Sequence, residues 1–241
     1  MDEYNLTVVQ EIDDWKRRMR RKSGILNRLS KKAQTKVNNW IPEKAHQVMT
    51  ESIKNMVKAT LVGSNMTTKK NQLAFPSLAE MDEQLMKKLS TYRKTAIVEG
   101  AGTGAGGILL GLADFPLLLS IKMKFLFEAA TIYGFDTNEY EERLFILHVF
   151  QLAFSSDEKR KEMMEIIENW DRRKTELMDM DWQEFQQEYR DYIDFVKMLQ
   201  LLPGIGAAVG AVANNNLLEQ LGEVAKNSYR IRKLKTAPKP D

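Results

Sequence analysis

Apolar residues recur along this chain at three- and four-residue steps, the period of a helix with one buried face. Leu6, Val9, Ile12, Trp15 and Met19 mark a first face, which Ser23-Gly24 interrupts. Leu26, Leu29, Ala33, Val37 and Trp40 mark a second, stopped at Ile41-Pro42, and Ala45, Met49, Ile53, Met56 and Thr60 mark a third. From Gly63 to Pro76 the period is lost and the residues are polar, which reads as a loop. Beyond it, the pairs Ser77/Glu80, Asp136/Glu139, Ser155/Glu158 and Asp181/Glu184 set a capping oxygen three residues ahead of a glutamate. In that spacing each side chain satisfies a backbone donor of the other residue, so each pair predicts a helix start. The two-residue alternation of strands is nearly absent.

Two segments depart from the amphipathic pattern. Gly100 to Ile121 reads GAGTGAGGILLGLADFPLLLSI, apolar almost throughout yet holding six glycines, and Pro203 to Ala213 repeats the style as PGIGAAVGAVA. Small residues four apart, such as Gly100/Gly104, Gly102/Gly106, Gly107/Gly111 and Gly206/Gly210, let helices approach closely, in a bundle or at a bilayer. At 1.5 Å per residue the longer segment reaches about 33 Å, but Asp114 interrupts it at a cost of roughly 2.5 to 3.5 kcal/mol in hydrocarbon. Asp114-Phe115-Pro116 also makes a good helix start, with aspartate as cap and proline in the first turn. The segment therefore predicts two short helices meeting at a corner, suited to an interfacial hairpin or a bundle centre rather than a span. Asn214-Asn215-Asn216, after the second segment, reads as a helix break or cap. The expected fold is all-α, a multi-helix bundle with two glycine-rich apolar helix-corner segments. Its expected layout is basic amphipathic helices over residues 1–64, a polar loop over 65–76, a helical domain over 77–235 and a tail over 236–241.

A net charge of +3 conceals a strong asymmetry along the chain. Between Trp15 and Pro42 stand ten Lys or Arg and no acid, including Arg17, Arg18, Arg20, Arg21 and Lys22. From Asp136 to Asp194 seventeen acids face eight bases, and the last stretch turns basic again. A basic arm bearing Trp15 and Trp40 suits an anionic lipid surface, with a plain solvated face as the bland alternative and nucleic acid a weaker one.

The chemistry of the chain is sparse. Absence of cysteine removes disulfides, thiol catalysis and thiolate metal sites, and two histidines, His46 and His148, do not make a histidine-rich metal site. His148 lies in the apolar run Phe145-Ile-Leu-His-Val-Phe150 and reads as a buried, hydrogen-bonded core residue before a general base. Gly102 to Gly107 matches the G-x-G-x-x-G spacing, but a helix rather than a strand precedes it, and no Gly-Lys-Ser/Thr closes a phosphate loop. No catalytic residues, metal or cofactor are expected. The acidic start MDEYNLTVVQEIDDW lacks the form of a signal peptide, so export is not expected.

Gly100 to Gly107 with Leu112-Ala-Asp114-Phe-Pro116, then Ile132-Tyr-Gly-Phe135 and Leu202-Pro-Gly-Ile-Gly206, resemble the EcsC family over most of the chain. The resemblance implies a bacterial setting associated with an ABC transporter and linked to protein secretion; it supplies no catalytic residues. Together these readings make the chain a non-enzymatic accessory protein, cytoplasmic and peripheral to the cell membrane. Gly100, Gly102, Gly104, Gly106, Gly107, Gly111, Asp114, Pro116, Gly204, Gly206 and Gly210 are its candidate docking residues. Arg17, Arg18, Arg20, Arg21 and Lys22 are its candidates for an anionic surface. The partners expected are anionic lipid and the transporter's membrane subunit, with oligomeric state open. The alternative is a soluble helical enzyme or small-ligand-binding protein with a pocket near the glycine-rich runs, Asp114 and His148.

Overall fold

The computed structural model describes residues 3–21, 43–63, 77–103, 107–155, 159–179 and 207–236. Among these, eight helices and no strand appear: α1 (Glu3–Arg20), α2 (Glu43–Val62), α3 (Leu78–Thr103), α4 (Gly107–Ile132), α5 (Tyr140–Phe154), α6 (Arg160–Glu168), α7 (Trp170–Met178) and α8 (Ala207–Thr236). The fold is the expected all-α bundle. The expected helix from Leu26 to Trp40, the loop after Gly63 and the start at Asp181 lie outside the described residues.

Helices α4 and α5 form its centre. Every residue of α5 from Leu144 to Phe154 is buried, and α4 buries Phe115, Leu118, Leu119, Met123 and Phe125 to Phe127. Against them pack α2, through Met49, Ile53 and Val57, and the long pair α3 and α8. α1 lies across α8 and α6 on Val8, Ile12 and Trp15. Its buried line is therefore Val8-Ile12-Trp15 with Met19 alongside, whereas Leu6 and Val9, expected on the core face, are exposed.

The corner expected at Asp114 does not occur. α4 runs unbroken from Gly107 to Ile132 with Pro116 inside it, so Asp114 is an interior helical residue rather than a cap. Proline there removes the amide that would bond the Leu112 carbonyl, at about 3 kcal/mol. Continuing the helix buries Phe115, Leu118 and Leu119, each worth roughly 1.5–3 kcal/mol, so packing outweighs the local start signal. Among the described residues, α3 ends at Thr103 and α4 begins at Gly107. Asn214 to Asn216 likewise lie inside α8 and break nothing.

Of the four start signals, Ser77/Glu80 forms its box: the Ser77 amide donates to Glu80 Oε2 at 2.7 Å, and the Glu80 amide to Ser77 Oγ at 3.3 Å. Asp136 instead closes a turn, accepting from the Asn138 amide and side chain at 2.9 Å, and α5 starts four residues later at Tyr140. Ser155 belongs to the preceding helix, its hydroxyl donating to the Leu152 carbonyl, and α6 starts at Arg160. The capping side chain is thus engaged before the helix begins, by the connecting turn at Asp136 and by the preceding helix at Ser155.

α3 and α8 are antiparallel, since Asp82 meets Arg230, Leu89 faces Gly222 and Arg93 meets Glu219 at 2.6 Å. α4 returns antiparallel to α3, with Tyr133 on Asp82 and Tyr92 on Glu128 at 2.9 Å. The bundle thus has two unlike poles. One gathers the start of α3, the end of α4, the start of α5 and the end of α8; the other gathers the end of α3 and the starts of α4 and α8.

Candidate functional site

The first pole holds a buried charge network built by five helices. Asp82 of α3 accepts the Arg230 Nε–H of α8 at 2.9 Å and the Tyr4 hydroxyl of α1 at 2.6 Å on Oδ2, while its Oδ1 accepts the Tyr133 hydroxyl. Arg230 also donates to Glu11 of α1 at 2.7 Å. At the same pole, Glu142 of α5 accepts the Tyr229 hydroxyl at 2.8 Å and Arg232 Nη1–H at 2.7 Å. The two clusters are joined by stacking of Tyr133 on Tyr229, whose centroids lie 5.4 Å apart.

Burial sets the electrostatics. It pushes the Glu142 carboxyl up, against the opposing pull of Arg232 and Tyr229, and raises the Tyr133 and Tyr229 hydroxyls beside their carboxylates. Arg230 is held above its ordinary value because its bonds to Asp82 and Glu11 outweigh desolvation. Both carboxylates have both oxygens engaged, so the arrangement clamps helices and offers no open base to a substrate. Sequence reading missed this network.

Of the expected docking residues, Gly100, Gly102, Gly107, Gly111 and Gly210 lie in the helix ends of the second pole. α3 ends through Gly100 and Gly102, α4 begins with Gly107 and Gly111, and α8 begins with Gly210 near its start; Gly104, Gly106, Gly204 and Gly206 lie outside the described residues. Pro116 and Leu117, near the middle of α4, are exposed, Leu117 by 54%. α1 starts at the charge network and crosses α8, since Tyr4 bonds Asp82 while Arg18 meets Glu223, midway along α8, at 2.6 Å, and Arg20 meets Glu168 beside Lys235 of the last turn of α8. From Glu223 to Gly210 is about 20 Å along α8.

The basic residues at the end of α1 are paired. Arg17 bonds Asp14 within the helix, Arg18 bonds Glu223, and Arg20 reaches Glu168 at 2.7 Å. Arg21 is exposed, and Lys22 lies outside the described residues.

The sequence pattern of the EcsC protein family matches residues 7–234 of the chain, taking in both poles. The chain belongs to the EcsC family. It is 55% identical to Protein EcsC of Bacillus subtilis (strain 168) over 231 residues, 96% of this chain and 97% of that protein. It is also 30% identical to Uncharacterized protein YdbA of the same organism over 161 residues, 65% of this chain and 59% of that one. No solved structure matches it.

In this EcsC-family chain the Ile132-Tyr-Gly-Phe135 motif has a clear structural task. Gly134, at φ +78°, ends α4 in a left-handed turn whose bonds run from the Gly134 amide to Thr131 and from the Phe135 amide to Ala130. The turn sets Tyr133 on Asp82 and swings Phe135 beneath Arg232, whose guanidinium carbon lies 3.8 Å from the Phe135 centroid and 4.2 Å from that of Phe145. Aspartate, arginine and tyrosine thus form one unit around a single glycine.

His148 is a core residue, as its sequence context indicates. It is buried, its Nδ1 lies 2.8 Å from the Leu144 carbonyl, and Trp170 packs on its ring. Burial pushes it down to about 4, so it is neutral at ordinary pH. Lys122 of α4 is fully buried as well, and desolvation lowers its amine to about 7. No group of three or more metal-binding side chains occurs among the described residues. Nor is any helix among them long and apolar enough to cross a membrane.

Proposed function

We propose that this EcsC-family chain is a non-enzymatic accessory protein that docks on the cytoplasmic face of the cell membrane, beside the membrane subunit of an ABC transporter. What supports the reading is that the glycine-rich ends of α3, α4 and α8 share one pole, and that the basic end of α1 stays exposed on the flank of the bundle, with the Arg17, Arg18 and Arg20 side chains all half or more accessible. Arg17, Arg18, Arg20, Arg21 and Lys22 supply attraction to anionic headgroups, each worth about 1 kcal/mol near such a surface. The apolar, small-residue pole, with exposed Pro116 and Leu117 further along α4, supplies the contact to lipid or to a transmembrane helix. Absence of a spanning helix among the described residues fits a peripheral attachment. The alternative of an enzyme or ligand pocket loses His148, which is sealed in the core against Trp170.

Flotation of the purified chain with neutral and with anionic vesicles, at low and high salt, tests the proposal. Binding to anionic vesicles that weakens in salt supports the basic arm, and binding that persists in salt supports the glycine-rich pole. Absence of flotation under all four conditions would refute docking to lipid.

A further inference from the structure

The basic end of α1 is held by acids from distant parts of the chain. Arg18 Nη2 meets Glu223 Oε1 at 2.6 Å, and Arg20 Nη2 meets both oxygens of Glu168, the last residue of α6, at 2.7 and 2.8 Å. Lys16 Nζ stands 3.7 Å from the same carboxylate, and Lys235 of α8 donates to the Glu168 carbonyl. Cations therefore outnumber carboxylates at this spot. The Arg18 and Arg20 side chains remain 59% and 50% exposed, so both can turn outward while Trp15, at 1% exposure, keeps α1 seated.

Ion pairs this exposed are weak, and a guanidinium near an anionic bilayer gains a comparable amount. Exchange of one partner for the other is therefore nearly balanced. We propose that Glu168 and Glu223 are internal competitors of anionic lipid headgroups: by pairing with Arg20, Lys16 and Arg18 they set how strongly the basic end of α1 engages a membrane. The inference rests on the membrane-docking reading and supplies its regulation. Any change that neutralises either acid, or occupies it with a cation, strengthens docking.

The test compares the full-length chain, the double variant Glu168→Gln/Glu223→Gln and a control, Glu83→Gln/Glu176→Gln. The control makes the same change in net charge at acids paired locally with Lys87 and Arg173. Each is floated with phosphatidylcholine vesicles and with mixed phosphatidylcholine–phosphatidylserine vesicles. The expected result is a gain for the double variant of about fivefold to twentyfold on the mixed vesicles, with a steeper loss in salt, and a much smaller gain for the control. Glu223→Gln alone, at an exposed position of α8, carries part of the gain and guards against loosening of α6 in the double variant. Equal binding by wild type and double variant, or an equal gain in the control, overturns the inference and leaves membrane docking standing. Failure of every protein to float overturns both.

Discussion

Tyr133 and Tyr229 stack with their rings 5.4 Å apart and 12° from parallel, and each donates its hydroxyl to a different buried carboxylate, Asp82 and Glu142. The stack joins two ion pairs that would otherwise be separate, Asp82 with Arg230 and Glu142 with Arg232. It fastens α3, α4, α5 and α8 at one pole, and Tyr4 and Glu11 add α1. A buried charge costs several kcal/mol to desolvate, so such pairs hold position more than they add net stability.

Removal of one partner should therefore cost more than removal of both. Arg230→Met leaves Asp82 buried without its cation and should lower stability by about 3–5 kcal/mol in urea unfolding. Asp82→Leu/Arg230→Met should lose clearly less. A double variant as unstable as Arg230→Met alone would show that the pair stabilises in its own right, and a loss equal to the sum of the two single losses would show no coupling between them.

Two glycines should fail for different reasons. A side chain at Gly134 meets open space, so Gly134→Ala pays only for the left-handed backbone, about 1–2 kcal/mol. At Gly222 a Cβ would lie 2.5 Å from Leu89 Cδ2 at the crossing of α3 and α8, so Gly222→Ala should cost about 1–3 kcal/mol by overpacking. Gly222→Ala should cost less in a Leu89→Ala background than in the unchanged chain, whereas the Gly134→Ala loss should be the same in both, as thermal unfolding of Leu89→Ala and of the single and double variants would reveal.

Much of the bundle was legible in the spacing of apolar residues, because helix period and burial coincide in α2 and at the start of α3. The charge network was hidden because its members resemble surface residues. Yet Asp82 shares a face with Leu78, Leu85 and Leu89, and Arg232 continues the line Leu218, Leu221, Ala225 and Tyr229. Charged residues in a buried phase were the available signal. The corner at Asp114 failed for the opposite reason: the local cap and proline were read correctly as chemistry, but burial of Phe115, Leu118 and Leu119 outweighed them. The roles of the glycine run and the basic arm depend on what they meet outside the chain.

Stability should rise with pH in two separate windows. Folding lowers His148 from 6.5 to about 4, so the unfolded chain binds more protons between those values, and stability falls as pH drops through that range by up to about 3 kcal/mol. Lys122 falls from 10.5 to about 7, so by the same sign its burial penalty is full below pH 7 and is relieved as pH rises toward 10.5. His148→Gln should flatten the first window alone. Lys122→Met should flatten the second and raise stability at pH 7, as read from urea midpoints across pH.

Peripheral docking through the basic end of α1 can be read by fractionating bacterial cells that express the full chain or its Arg17→Gln/Arg18→Gln/Arg20→Gln/Arg21→Gln variant. The wild-type chain is expected to sediment with membranes and to be released by high salt, while the variant shifts to the soluble fraction. A wild-type chain that stays soluble, or a variant that sediments just as fully, would contradict such docking.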